Sequence, residues 1–222
     1  MNHILRDYAR ADEPSWLRCR VLAFLSTAYF DDVAPAKPLV TAPGFELVAV
    51  DRRATVLGLM DVAVEGELAT IETVAVHPDH QHAGIGRALL EQAMTRVRTM
   101  PAVTTLDAWT RDDPDALRWY RAMGFRESDH YLHVYASHYA KAAEPERVQT
   151  AEPEGAQTAE PAPVQTDQPA PAHTSEPDRA LIGARPGLYP VSVFLHAGLA
   201  EEERLRREFA RVHVCRRFSM AI

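Results

Sequence analysis

The stretch HPDHQHAGIGRALL, from His77 to Leu90, joins a histidine-containing loop to a pair of glycines and an apolar continuation. An apolar, β-branched run precedes it and ends at His77. Apolar residues recur at helical spacing from Gly84 to Arg98, which predicts a helix that begins at the glycines. The order of strand, loop, glycine pair and helix predicts an α/β fold with a ligand loop at the start of this helix.

Three kinds of ligand site are compatible with a glycine-containing loop before a helix. A P-loop requires a lysine after the glycines, and none is present. A dinucleotide fingerprint requires a third glycine, and Leu89 occupies that position. An anion cradle remains, because Gly84 and Gly86 let the backbone approach a ligand and the first helical amides point outward, with Arg87 adding a cation. Simple packing of the two glycines is the alternative.

Two motifs resemble one known family. The runs Val74–Pro78, Gln81–Gly86 and Ala88–Leu90 resemble the acyl-CoA-binding signature of the GNAT superfamily of N-acyltransferases, in which a strand ends near proline and [Q/R]xxGxG opens an apolar helix. The run WYRAMGF, Trp119–Phe125, is similar to the family's [FWY]YxxxGF segment. The similarity covers residues 1–137, with the elements in the expected order.

The resemblance implies a mixed, largely antiparallel central sheet with helices on both faces. It also implies two splayed parallel strands, here 68–77 and 104–110, with the pantetheine arm of acetyl-CoA in the gap. Acetyl-CoA would act as the co-substrate, its pyrophosphate held by the amides of the loop. The implied contacts are Val74, Ala75, Val76, Gln81, His82, Ala83, Gly84, Ile85, Gly86 and Arg87.

Two residues are the candidate catalytic groups. Tyr120 matches the family tyrosine whose hydroxyl would protonate the departing thiolate, and its alternative role is that of a core residue. Glu72 is the lone acid in an apolar strand, where desolvation would favour a base; its alternative is a solvated acid without a catalytic task. Ala108 stands where some family members carry an acidic base, which leaves the proton path open.

The sequence indicates less about the residues that would bind the amine acceptor. The segment after the first predicted helix contains Tyr29, Phe30, Asp31 and Asp32. Aromatic rings beside acids suit a primary amine or a peptide N-terminus. Acids are unfavourable at a helix C-terminus, which supports a binding role, whereas the alternative is a solvated helix end.

The domain organisation follows from a change in composition. Residues 1–142 are predicted to form the GNAT-like domain. Residues 143–179 contain an eight-residue Pro/Ala/Glu/Gln/Thr repeat with almost no large apolar side chains, which predicts a disordered linker. Residues 180–222 show strand, helix and strand patterns. This tail is too short to fold alone and is expected to dock on the sheet beside residues 130–137.

Composition restricts the remaining classes of function. The net charge of −7 argues against nucleic-acid binding, and no apolar run is long enough to span a membrane. The histidines do not converge, so no metal is predicted. Two cysteines and the lack of a signal segment predict a cytoplasmic protein, and a homodimer is left open.

We therefore expect an acetyltransferase that moves the acetyl group of acetyl-CoA to a primary amine by direct attack in a ternary complex. The amine could belong to a small molecule or to a peptide or protein N-terminus. A longer acyl donor stays open. The alternative function is a non-catalytic acyl-CoA-binding or scaffold protein whose linker and tail engage a partner.

Overall fold

The computed structural model describes residues 3–136 and 194–222. The predicted mixed α/β class is confirmed, with helices interspersed among eight strands of one sheet. In chain order the elements are β1 Ile4–Asp7, α1 Glu13–Phe24, β2 Phe45–Val50, β3 Val56–Glu65, β4 Leu68–Val76, α2 Ile85–Val97, β5 Thr105–Thr110, α3 Pro114–Ala122, β6 Arg126–Tyr135, β7 Phe194–Ala197, α4 Glu202–Glu208 and β8 Val212–Ala221.

The sheet has the strand order β1-β2-β3-β4-β5-β8-β6-β7. β4 and β5 form a parallel pair, and the registers of β1 with β2, β2 with β3, β3 with β4 and β5 with β8 are antiparallel. The last strand of the chain therefore lies inside the sheet, between β5 and β6. In this order β8 and β7 flank β6 on its two sides.

The chain divides into two compact units. The larger contains residues 1–133, 196–202 and 213–222, and the smaller contains residues 134–195 and 203–212. In the described part of the smaller unit, the Tyr135 amide donates to the Arg211 carbonyl at 3.1 Å. The domain boundaries predicted at 142/143 and 179/180, and the repeat segment, lie outside the described residues.

Two apolar clusters hold helices against the sheet of the larger unit. Ile85, Leu89, Ala93 and Val97 of α2 pack with the inner residues of β2 to β5, so the predicted apolar stripe of α2 is buried. Gly58 of β3 permits this contact, because an added Cβ would lie 2.6 Å from Ile85 Cγ2. On α1, Trp16, Cys19 and Ala23 pack against a second set that includes Val48 and Leu59.

The aspartates that precede α1 and α3 behave differently. Asp113 caps α3, since its carboxylate accepts hydrogen bonds from the amides of Asp115 and Ala116, each at 3.0 Å. Asp12 precedes α1 but makes no side-chain cap there. Its carboxylate instead forms a two-pronged ion pair with Arg6, at 2.6 and 2.8 Å. The stronger charge-assisted bond takes both oxygens away from the helix amides.

Candidate active site

The parallel strands β4 and β5 separate part-way along their length. Their register runs from Leu68 opposite Thr105 to Ile71 opposite Ala108 and ends there. Both strands continue, β4 as far as Val76 and β5 as far as Thr110. The predicted splay is confirmed, and a gap opens between the two strands beyond Ile71.

The backbone of the last part of β4 faces this gap in a regular alternation. The amide of His77 donates to the carbonyl of Leu57 at 2.8 Å, so His77 points its backbone toward β3. Along an antiparallel pair the backbone groups of successive residues alternate in direction. Val74 and Val76 therefore direct their amides and carbonyls away from β3, toward the gap. The Val76 carbonyl accepts a hydrogen bond of 3.3 Å from the Gln81 side chain.

The loop after β4 brings the N-terminus of α2 to the same end of the gap. Gly84 precedes the helix with φ +80°, a left-handed conformation that other residues adopt only with strain, and no side chain caps the first turn. Gly86 lies against α3, because an added Cβ would be 3.3 Å from Trp119 Nε1. The exposed loop residues are Gln81, His82, Gly84 and Arg87. An anion thus has open access to the helix N-terminus.

Tyr120 is buried in an aromatic cluster, with 4% of its surface exposed. Its ring meets Trp119 and Phe125 edge-on and stacks on Phe218 of β8. Burial raises the pKa of the Tyr120 hydroxyl above its ordinary value, and the charges of Tyr29 and Asp107 act in the same direction. The hydroxyl therefore keeps its proton at neutral pH, as a general acid must.

Glu72 occupies an irregular position on β4. Asp61 pairs with Thr73 and Val62 pairs with Ile71, so Glu72 is the extra residue of a β-bulge. Its side chain is exposed. The desolvation expected from its apolar neighbours is therefore absent, because the bulge turns the carboxylate away from them and toward solvent.

Comparison with protein families decides the classification. Residues 43–127 match the model of the GNAT acetyltransferase domain. These residues form a GNAT acetyltransferase domain. The match agrees with the sequence motifs, which predict an acyl-CoA N-acyltransferase that takes an acyl-CoA as its co-substrate.

Solved structures similar to this chain include three acetyltransferases. PaiA N-acetyltransferase from Thermoplasma acidophilum, in complex with coenzyme A, is 13% identical over 58% of this chain and 92% of its own, with TM-score 0.49. The ribosomal-protein-S18-alanine N-acetyltransferase of Escherichia coli is 17% identical over 64% and 86%, with TM-score 0.45. A GNAT family acetyltransferase from Elizabethkingia anophelis with acetyl-CoA bound is 20% identical over 58% and 79%, with TM-score 0.45. These likenesses carry no argument about the acceptor. No curated protein matches the sequence.

The predicted acceptor residues lie after α1, and two arginines bind this segment. Arg20 donates to the Asp32 carbonyl at 2.6 Å and to its carboxylate at 2.9 Å. Arg111, just after β5, forms an ion pair of 3.6 Å with Asp31. The Tyr29 hydroxyl accepts a hydrogen bond from the Arg111 amide at 2.8 Å, while Phe30 is exposed. The two acids thus fasten this segment to α1 and to the end of β5.

A cavity of about 400 Å³ lies beside Glu72. We call it the acceptor cavity. It is lined by Arg20, Pro38, Leu39, Val40, Thr41, Asp61, Ala63, Glu72 and Thr73. The structure thus brings Glu72 to a cavity formed with α1, the segment before β2 and the end of β3, and Tyr29, Phe30, Asp31 and Asp32 are not among its lining residues.

Two charged residues of this cavity, Arg20 and Asp61, were not predicted from the sequence. Asp61 is a buried acid whose carboxylate Oδ2 accepts from Lys37 Nζ at 3.0 Å. Lys37 also donates to Glu46 and lies 4.9 Å from the ring centroid of Trp16. Asp61 is the lone acid within the apolar run of β3, which is the same signal that singled out Glu72 on β4.

The electrostatics of Asp61 reflect competing causes. Burial raises the pKa of its carboxyl to about 6, Lys37 and Arg20 oppose that rise, and Glu46 adds to it. Burial dominates because removing a carboxylate from water costs more than one nearby ammonium restores. Asp61 is therefore mostly ionised at neutral pH and protonated in mildly acidic solution.

Within residues 3–136 and 194–222, no group of three or more His, Cys, Asp or Glu side chains is placed to hold a metal ion. No helix in those same ranges is long and apolar enough to cross a membrane.

Proposed function

We propose that this GNAT enzyme transfers an acetyl group from acetyl-CoA to a primary amine by direct attack within a ternary complex. The amine belongs to a small molecule or to a peptide or protein N-terminus. One observation carries the proposal: the backbone of Val74 and Val76 faces an open gap that leads to the uncapped N-terminus of α2. A ligand with amide groups at one end and a diphosphate at the other fits that arrangement.

In this proposal, backbone groups of β4 and of the loop before α2 bind acetyl-CoA. Its pantetheine amides pair with the exposed strand edge at Val74 and Val76, alongside Ala75. Its pyrophosphate receives the amides of residues 82–87, with the Arg87 side chain as an added cation and Gln81 bracing the loop. The Val76 amide then lies near the thioester carbonyl, where it stabilises the negative charge that develops during attack.

The chemistry requires three proton transfers. The acceptor ammonium first loses a proton to the Glu72 carboxylate through a water molecule, because Glu72 is exposed at the acceptor cavity. The free amine attacks the thioester carbon, so a C–N bond forms and the C–S bond breaks. The Tyr120 hydroxyl gives its proton to the departing thiolate, and its raised pKa keeps that proton available beforehand. The nitrogen of the new amide gives up its second proton, which returns to the Tyr120 oxygen through water.

The segment after α1 contributes to acceptor binding in two ways. The exposed ring of Phe30 contacts the acceptor, and Tyr29 holds the neighbouring backbone through Arg111. Asp31 and Asp32 act indirectly, since their ion pairs fasten the segment to Arg111 and to Arg20, and Arg20 lines the cavity. Their contribution is placement of the acceptor site rather than contact with the amine.

A coupled assay tests the reaction. The protein is incubated with acetyl-CoA and a panel of primary amines while free thiol is followed. We expect amine-dependent thiol release, and we expect Glu72→Gln to lower kcat by roughly a hundredfold, within the range for a positioned base. Glu67→Gln, at an exposed acid in the turn just before the same strand, is the control and should retain full activity.

The acid and the anion site are tested separately. Tyr120→Phe should lower kcat with little change in the KM for acetyl-CoA, whereas Tyr135→Phe, another buried tyrosine, should not. Gly86→Glu should abolish coenzyme A binding in calorimetry, because the new carboxylate would occupy the anion site. Tight coenzyme A binding without thiol release on any amine would replace the proposal with a non-catalytic acyl-CoA-binding function.

A further inference from the structure

Two buried polar atoms at the acceptor cavity have no hydrogen-bond partner among the described residues. They are Oδ1 of Asp61 and Nε of Arg20. The Asp61 side chain is 3% exposed and the Arg20 side chain 8%. A buried polar atom without a partner is unfavourable and rare in folded proteins. An acceptor and a donor are thus left unsatisfied in residues that line one cavity.

The hydrogen bonds of Lys37 explain why Asp61 Oδ1 has no donor among the described residues. Lys37 Nζ donates its three hydrogens to Glu46, to the Pro38 carbonyl at 3.1 Å and to Asp61 Oδ2 at 3.0 Å. Two carboxylates share this single ammonium, so the cluster keeps a negative charge when both are ionised. Oδ1 is therefore suited to a further cationic donor.

Arg20 is left with one donor for a similar reason. Its two Nη groups are engaged by the backbone carbonyl and the carboxylate of Asp32, at 2.6 and 2.9 Å. The ion pair with Asp32 offsets the charge of the guanidinium. Nε therefore offers a hydrogen bond to a neutral acceptor, such as a carbonyl oxygen, more readily than a site for an anion.

We propose, building on the proposed acetyltransferase function, that the acceptor is an α-amino amide with an apolar side chain, as at a peptide N-terminus. Its ammonium donates to Asp61 Oδ1, and the adjacent amide carbonyl accepts from Arg20 Nε. The apolar side chain packs on Leu39 and Val40 at the cavity, where Leu39 is 95% exposed and otherwise unfavourably placed in water. Asp61 and Arg20 together select this class over a simple amine.

Both unsatisfied atoms are covered in the structure, so binding requires small side-chain rotations. The terminal torsion of an aspartate is broad, and a modest turn of the Asp61 carboxylate brings Oδ1 to the cavity while Oδ2 stays near Lys37. After binding, the ammonium lies in the same cavity as Glu72, which receives its proton in the proposed reaction.

The experiment compares two amines of matched shape. Leucinamide carries the amide carbonyl, and 3-methylbutylamine has the same branched chain without it. Wild-type enzyme should use leucinamide with a kcat/KM at least about tenfold higher, as expected for one buried hydrogen bond. Asp61→Asn should raise the KM of both amines by about tenfold or more while leaving the KM for acetyl-CoA unchanged.

Arg20→Lys tests the second proposed contact, between Arg20 Nε and the amide carbonyl, separately from the first. It keeps a cation on α1 but removes the Nε donor, so it should lower the ratio of the kcat/KM for leucinamide to that for 3-methylbutylamine. Arg18→Lys, at an exposed position on the same helix, and Glu65→Gln, at the exposed end of β3, are the matched controls. Neither should alter either KM.

The outcomes distinguish this inference from the proposed function. If wild type acetylates both amines equally well, or if Asp61→Asn leaves both amine KM values unchanged, the two-point recognition is wrong although the enzyme is active. If neither amine is acetylated, leucinamide is titrated calorimetrically into the coenzyme A-saturated protein. Binding weakened by Asp61→Asn then supports recognition without turnover, and absence of binding overturns it.

Discussion

The ring of Tyr120 on α3 stacks on the ring of Phe218 on β8, with centroids 5.3 Å apart and planes 13° from parallel. The candidate acid of the reaction is therefore packed against a strand that follows the long segment between residues 136 and 194. β8 also pairs with β5, one wall of the proposed acetyl-CoA gap. The chain end thus contributes directly to the shape of the candidate active site.

Phe218→Ala should destabilise the protein by about 3–5 kcal/mol, because a fully buried ring is replaced by a cavity. The same variant should lower kcat, since Tyr120 loses the surface that orients its ring. Denaturant unfolding and the thiol-release assay measure the two effects. Ser219→Ala, the neighbouring position on β8, is the control. A loss of less than about 1 kcal/mol would show that the stack contributes little.

Asp107→Asn should cost roughly 3 kcal/mol of unfolding free energy. Its buried carboxylate accepts from Arg217 Nε on β8 at 2.5 Å and from Thr70 Oγ1 on β4 at 2.7 Å, so one residue links three adjacent strands. Glu203→Gln breaks an exposed helical ion pair with Arg207 and should cost at most about 1 kcal/mol. Equal effects of the two substitutions would contradict a structural role for Asp107.

Gly84→Ala and Gly66→Ala form a matched pair. Both glycines have positive φ, +80° and +58°, and an added Cβ would contact nothing within 4 Å at either. Each substitution should therefore cost about 1–2 kcal/mol through backbone strain alone. Only Gly84→Ala should raise the KM for acetyl-CoA, because only Gly84 lies at the proposed pyrophosphate site. An equal rise of the KM for acetyl-CoA in both variants would show that general destabilisation causes it.

Asp61 should make stability depend on pH in an identifiable direction. Its pKa in the folded protein is raised to about 6 from 3.8, so the folded state holds this proton more tightly than the unfolded chain does. The resulting stabilisation is complete below the unfolded pKa and is lost as pH rises through about 6.

Urea unfolding of wild type and Asp61→Asn at pH 4 and pH 7 measures this effect. The stability of wild type relative to the variant should be lower at pH 7 than at pH 4. The opposite trend would mean that attraction to Lys37 outweighs burial.

Cys19 and Cys215 should be nearly unreactive in the folded protein. Both are buried, and burial raises the pKa of the Cys19 thiol to about 12 and that of Cys215 above its ordinary value. Three pKa units mean roughly a thousandfold less Cys19 thiolate near pH 8. Ellman's reagent should detect no fast thiol in the native protein and two after denaturation. A fast thiol in the native state would contradict this burial.

Much of the fold could be predicted because its signals are local. The helix predicted over 84–98 is observed as Ile85–Val97, and the strand predicted over 104–110 as Thr105–Thr110. Glycine conformation, helical spacing and the end of a strand at proline act within a few residues of chain. The predicted acyl-CoA loop therefore lies where its motif indicates, and the family match agrees with it.

The remaining features depend on residues far apart in the chain. Alternation in the tail predicts strands, but the choice of β5 as a neighbour for β8 follows from side-chain packing, with Phe218 against Tyr120 and Arg217 against Asp107. Likewise, the sequence identifies a lone acid at Asp61 as readily as at Glu72. The tertiary structure decides that Asp61 is buried beside Lys37 while a β-bulge exposes Glu72, because burial and partner choice are properties of the assembled sheet.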